Sequence, residues 1–159
     1  MSDYQHVSEV LAHYVRAADR RDGRAMSALF LPEAEVVINY VNAGMTERIG
    51  VLNGPDAIGD AVATMMKPHP PMGWSHHTTQ DHLIYIDGDT ATIDAQFVVF
   101  NTLGTPRPAG GWPPGILGLQ GTVTPIEAGY YRTELRRVDG QWLIRRHQID
   151  HDLPMALPG

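Results

Sequence analysis

Two short stretches of this chain hold residues that could move a proton. Asp19 continues the four-residue row Leu11, Val15, Asp19 along the edge of an apolar helical stripe. An acid in such a row costs free energy unless it is paired. On periodicity alone, a solvated helix rim beside Arg20 and Arg21 is the more ordinary home for it. The second stretch, Ser75-His76-His77-Thr78-Thr79-Gln80-Asp81-His82, is the polar start of a strand. Alternation places His77, Thr79 and Asp81 on one face and His76, Thr78, Gln80 and His82 on the other, so one imidazole of the pair faces inward. A neutral imidazole can take a proton near pH 7, and a carboxylate behind it fixes its tautomer. The ordinary alternative is a histidine satisfied by a backbone carbonyl at a strand end. Tyr40 ends one apolar strand and Tyr131 begins another. A phenol in an apolar pocket can donate to a developing enolate oxygen, although core and rim tyrosines are the commoner case.

Other chemistries find less support. The 159 residues contain no Cys, which excludes disulfides, thiolate nucleophiles and Cys-ligated metal sites. Lys67 is the only lysine, so a Schiff base would have to use it. The net charge of −6 argues against nucleic acid and an anionic membrane as partners. Arg132, Arg136, Arg137, Arg145 and Arg146 alternate with Glu134 and Asp139, which predicts cross-strand pairing on an exposed face. His76 and His82, with His147, Asp150 and His151, are the residues a metal could use. The spacing lacks the His-x-His or His-Glu-x-x-His pattern, and no metal is expected. Gly-x-Ser-x-Gly, phosphate-loop and dinucleotide-binding motifs are also missing. Apolar residues make up 43%, enough for a core, and no apolar run reaches the ~20 residues of a membrane span. No basic-then-apolar leader opens the sequence, so a cytoplasmic protein of one domain, residues 1–159, is expected.

The elements that must carry these residues follow from periodicity. Val7, Val10, Leu11, Tyr14, Val15 and Ala18 mark a first helix capped by Ser2 or Asp3 and ended by Asp22-Gly23. A second helix is expected from Arg24 to Leu31, stopped by Pro32, and a third is opened by Asn53-Gly54-Pro55-Asp56, with Pro55 at its first position, and broken by Lys67-Pro68. Strands are expected over Val36–Val41, Met45–Val51, Ser75–Ile86, Thr90–Thr102, Gly129–Val138 and Gln141–Ile149, the last two joined by Asp139-Gly140. Leu103–Ala128 holds five of the 12 prolines and reads as a long functional break whose apolar Gly115–Leu119 covers something. The apolar tail Asp152–Pro158 could join it as a roof. Helices followed by antiparallel strands predict an α+β fold with helices on one face of a curved sheet, which leaves a cone-shaped pocket.

At this point the sequence resembles the SnoaL-like branch of the nuclear transport factor 2-like superfamily, over roughly Val7 to Ile149. The resemblance rests on Tyr14…Ala18-Asp19-Arg20-Arg21-Asp22-Gly23, Ala28-Leu29-Phe30, Val36-Val37-Ile38-Asn39-Tyr40, Gly54-Pro55-Asp56-Ala57-Ile58, Ser75-His76-His77, Ile86-Asp87-Gly88-Asp89-Thr90-Ala91 and Asp139-Gly140-Gln141-Trp142, in order. Within the branch it is most similar to scytalone dehydratase and hexachlorocyclohexane dehydrochlorinase. The resemblance implies a cystatin-like, cone-shaped, mostly antiparallel sheet wrapped around N-terminal helices. It also implies a His77–Asp19 dyad without cofactor, and a tyrosine at Tyr40 that binds substrate. Tyr14, Tyr131 and Phe97 are the further expected substrate contacts. The dehydratase tyrosine before the helix acid is Ala18 here, its second histidine falls near Asn101 or Thr102, and its pocket serine falls near Gly129. The implied activity is that of a lyase or isomerase acting on a small apolar cyclic, polyketide, steroid or aromatic-type molecule. The alternatives are a non-catalytic ligand-binding or interaction module and the small subunit of a ring-hydroxylating dioxygenase. A ketosteroid-isomerase-like site would instead use Asp94 or Asp81 as the base. A homo-oligomer is expected, a trimer before a dimer.

Overall fold

The computed structural model describes residues 1–156, so Leu157 and Pro158 of the expected roof lie outside the described residues. Helix α1 spans Asp3–Arg20, and a capping box opens it: the Ser2 hydroxyl accepts from the Gln5 N–H while the Gln5 side chain accepts from the Ser2 N–H. Its buried face, from Val7 to Ala18, continues without a break into Asp19. Arg21 closes the helix in the left-handed region at φ 55°.

Helix α2 covers Gly23–Ser27. Strands β1 (Phe30–Asn42) and β2 (Met45–Asn53) form a hairpin through Ala43 and Gly44, which take φ of 50° and 76°. Helix α3 (Gly54–Asp60) passes directly into a wider π-helical turn, Ala61–Met65. Four long strands follow: β3 (Gly73–Asp87), β4 (Thr90–Gly104), β5 (Gly121–Val138) and β6 (Gln141–His151). They join β1 and β2 in one curved, unclosed six-stranded sheet of order β2-β1-β6-β5-β4-β3. Every neighbouring pair is antiparallel except β1 with β6. The core lies between α1 and the concave face, built on Val7, Leu11, Ile93, Phe97, Tyr131 and Ile144. Among the described residues no helix is long and apolar enough to cross a membrane.

Three elements depart from the sequence expectation. The second helix stops at Ser27, and Phe30 to Pro32 already belong to β1. Pairing with β6 is irregular between Phe30 and Glu35, and Pro32 is exposed there, so its missing N–H removes no bond from a regular ladder. The break after Leu103 is also shorter than expected. β4 and β5 stay paired out to Gly104 and Gly121, which leaves Thr105–Gln120 as the connection. Within it Leu117 and Leu119 are exposed and cover nothing among the described residues.

The third departure sets the direction of side chains at the site. Asp81 adopts φ 53°, and the β3–β4 register shifts between Gln80 and Leu83. This bulge adds one residue and inverts the alternation beyond it. Asp81 is therefore exposed, and His82 joins His77 and Thr79 on the sheltered face instead of joining His76. The His82 Nε2 lies 2.9 Å from the Thr79 hydroxyl. His76 and His82, the pair considered for a metal, thus point to opposite faces.

Candidate active site

Asp19 sits at the end of α1 where the last turn meets the start of β3, and it is 7% exposed. His77 presents its Nδ1 2.6 Å from Asp19 Oδ1. The same carboxylate accepts from the His77 backbone N–H at 3.0 and 3.1 Å and from the Ser75 hydroxyl at 3.1 Å. These donors satisfy an acid that burial would otherwise penalise. They place the Nδ1 proton against Asp19 and leave the lone pair on Nε2. Alternation accounts for the choice between the two histidines: Ser75, His77 and Thr79 face inward, and His76 is exposed.

Arg21 buttresses the arrangement from behind. Its guanidinium donates to Ala18 O at 2.7 Å, to the Ser75 hydroxyl at 3.3 Å and to Lys67 O at 3.1 Å. Burial lowers the Arg21 pKa, while the charges of Asp19 and Glu127 act to raise it. His69 donates from Nε2 to Asp19 O at 2.6 Å, and its ring stacks on Trp74 at 4.5 Å. The chain Arg21–Ser75–Asp19–His77 therefore fixes the dyad on two elements at once.

The aromatic residues expected at the site fill the space behind it. Phe97 stacks on Tyr131 at 4.2 Å, and Tyr131 meets the edge of Tyr14 at 5.7 Å. Burial pushes the Tyr14 phenol well above its ordinary value, with the Glu127 charge adding to the effect. Tyr131 is also raised, by burial first and then by Tyr14, Glu127 and Asp19. Both phenols therefore stay protonated as donors at neutral pH. Tyr40 is placed differently. It is half-buried beside His151 in the β1–β6 register, four steps along the sheet from β3. The structure does not bring it to the dyad. Asp94 and Asp81, the alternative bases, point away: Asp94 lies 3.8 Å from Arg132 on the outer face, and Asp81 is exposed in its bulge.

Three residues near the site were not assigned to it by sequence reasoning. His147, considered only as a metal ligand, is fully buried with Nδ1 2.9 Å from the Thr133 hydroxyl, and its Nε2 has no partner among the described residues. Burial lowers its pKa to about 3, so it is a neutral core group. Glu127 and His151 line an open cavity of about 240 Å³, edged by Ile126, Ala128 and Leu153–Ala156. Neither Asp19 nor His77 lines this cavity; Asp19 instead borders a shallow opening with Arg16, Arg20, Trp74 and His76. Alternation carried back from Tyr131 through Gly129 reaches Glu127, but Pro125 and the prolines of the preceding stretch hid the strand's true start. Among the described residues no three His, Asp or Glu side chains converge as metal ligands.

Comparison with known proteins gives this geometry its context. Solved structures of similar shape include a candidate dehydratase of the NTF2-like family from Streptomyces avermitilis, with TM-score 0.61 and 18% identity over 96% of this chain and 98% of that one. LinA superposes with TM-score 0.63 and 16% identity over 98% of this chain and 94% of its own. The beta subunit of a candidate aromatic-ring-hydroxylating dioxygenase from Novosphingobium aromaticivorans gives 0.68 and 15%, covering 96% and 91%. At these identities the likeness is one of fold. No curated protein matches the sequence significantly. The SnoaL-like domain model matches residues 1–148, nearly all of the sheet and helices that hold Asp19 against His77. The chain belongs to the SnoaL-like domain family.

Proposed function

We propose that this protein is a cofactor-free lyase or isomerase that removes a proton from a carbon next to a carbonyl in a small, largely apolar cyclic molecule. The contact of 2.6 Å between His77 Nδ1 and the buried Asp19 carboxylate carries this reading. His77 Nε2 takes the proton, and Asp19 holds the ring and stabilises the imidazolium that forms. Tyr131, whose phenol feels the Asp19 charge, and Tyr14 beside it are the buried protonated phenols assigned here as donors for a developing enolate oxygen. General-base catalysis supplies roughly 10²–10⁴-fold, which suits only activated C–H bonds. Departure of a leaving group or return of the proton to another carbon completes the reaction. Self-association belongs to the same reading: Leu83 and Tyr85 on edge strand β3 are exposed, and a second copy would cover them. Sedimentation velocity measures it, a trimer being expected.

The test does not require the natural substrate. The protein is incubated in D₂O with simple cyclic ketones such as tetralone, and deuterium entering the carbon next to the carbonyl is followed by NMR. Exchange above the buffer rate that His77→Gln abolishes supports the reading. Ketone binding without exchange in the wild type overturns it in favour of a non-catalytic binding module.

A further inference from the structure

Strand β6 stops at His151, opposite Gly129, while β3, β4 and β5 run on beyond that point. The stretch Gly121–Ala128 of β5 makes an arm about 25 Å long, and Thr105–Gln120 forms its tip. The tip is a built structure. The Thr105 N–H donates to Gln120 O, the Gly111 N–H to Pro108 O and the Ile116 N–H to Pro113 O. The Gln120 side chain donates to Leu117 O at 3.0 Å. Gly115 and Gly118 take φ of 86° and 80°, and the turns they make leave Leu117 facing outward.

The tip satisfies its own backbone and presents its apolar side chains to the outside. Leu117 is 89% exposed and Leu119 fully so, and Leu103, Trp112, Ile116 and Val123 are each more than a third exposed. Together these six side chains present apolar surface on the order of 700 Å². The largest apolar patch of an ordinary monomer is about 300–600 Å², and one side of a stable interface covers about 800 Å². Val123 pairs with Thr102 and Leu103 with Thr122, so Val123 and Leu103 occupy opposite faces of the ribbon. The apolar surface therefore surrounds the arm, and only a partner that wraps around it covers both faces.

Charge identifies that partner. From Ala95 to Ile126 the sequence has a single charged residue, Arg107. The outer face beyond it is laced with the pairs Arg132–Asp94, Arg145–Glu134 and Arg146–Glu35. Two copies that each carry a net charge of −6 repel one another, and least where charge is absent. A partner recognised by its own charge finds nothing on the arm to hold.

We infer that the arm is a self-recognition surface: two copies of this chain cross their β4–β5 arms about a two-fold axis, and the Leu119 side chains of the two copies meet there. An isologous contact is the closed arrangement open to two identical apolar surfaces. It is separate from the contact assigned to Leu83 and Tyr85, which lie on β3 beyond the bulge at Asp81 and pair with Asp94 and Thr92. Where that contact forms trimers, the arms join them in pairs.

Sedimentation velocity compares the wild type with Leu117→Glu/Leu119→Glu and with Leu83→Glu/Tyr85→Glu. All four side chains are exposed, so the fold tolerates each change, as circular dichroism checks. The arm variant is expected to sediment at half the wild-type mass and the edge variant at the mass of two chains. A monomeric wild type overturns the inference, as does an arm variant at the full wild-type mass or an edge variant that falls to one chain. The lack of Cys provides a second readout. Leu119→Cys, oxidised at micromolar concentration, is expected to form a disulfide-linked pair, and Tyr4→Cys on the exposed start of α1 is not. A Leu119→Cys variant that stays unlinked overturns the two-fold crossing. A monomeric wild type that sediments with neutral phosphatidylcholine vesicles through Leu117 and Leu119 assigns the arm to a lipid surface instead. Neither readout involves His77, so the outcome is independent of the proton-abstraction reading.

Discussion

The carboxylate of Asp19 accepts two kinds of hydrogen bond from a single residue, His77: from the ring Nδ1 at 2.6 Å and from the backbone N–H at 3.0 Å. One acid thus fixes both the position of the strand and the angle of the ring it carries. Asp19→Asn keeps the size but puts an amide N–H₂ in competition for the Nδ1 position, which disturbs the tautomer. Deuterium exchange into a cyclic ketone is expected to fall by about 10²-fold or more. Circular dichroism is expected to keep its native shape, and unchanged exchange in this variant would remove Asp19 from the mechanism.

Ser75 offers a finer probe of the same contact. It is buried, donates to Asp19 and receives Arg21. Ser75→Ala removes one donor from the carboxylate, a loss of roughly 0.5–1.5 kcal/mol. About a 2- to 10-fold slower exchange is expected, with ketone affinity nearly constant. Ser75→Thr is expected to recover most of the rate, which a purely steric role for the side chain would not allow.

His147 makes stability depend on acid. Its ring lies 4.2 Å from Tyr14 and 4.8 Å from Tyr131, in surroundings that disfavour charge and lower its pKa from 6.5 to about 3. Because the folded value is below the unfolded one, protons bind more readily to the unfolded chain. The contribution is complete above about pH 6.5 and is lost as the pH falls toward 3, at up to ~1.4 kcal/mol per unit. His151, also lowered by burial, adds a slope of the same sign. Urea midpoints measured between about pH 7 and 5 are expected to fall in the wild type. His147→Phe is expected to flatten that fall whatever its effect on the midpoint at neutral pH.

Asp81 holds a backbone conformation that most side chains resist. Its φ of 53° is tolerated by Asp and free for Gly. Asp81→Gly is expected to match or raise the melting temperature. Asp81→Val is expected to lower stability by about 1–3 kcal/mol. Removing residue 81 altogether should return His82 to the exposed face, which loss of its contact with Thr79 in the NMR spectrum would report.

Much of this architecture depends on residues close together in the chain. The apolar stripe of α1 and the Asp139-Gly140 turn, whose φ values are 51° and 78°, are local choices legible in the sequence, as was a helix cap at Ser2 or Asp3, between which the structure chose Ser2. Spacing alone marked Asp19 and one histidine of the His76-His77 pair as worth weighing, and the family resemblance singled out Asp19 with His77. Tertiary structure decided what spacing does not contain. The inward direction of His82 depends on one bulged residue, because a single insertion inverts every later side chain. The start of β5, and with it the place of Glu127, depends on how far β4 offers hydrogen bonds to pair with, a property of the partner strand and not of the proline-rich sequence itself. The filling of the cone by Tyr14, Phe97 and Tyr131, which moves the open space toward Glu127 and His151, arises because packing sums contributions from three elements far apart in the chain.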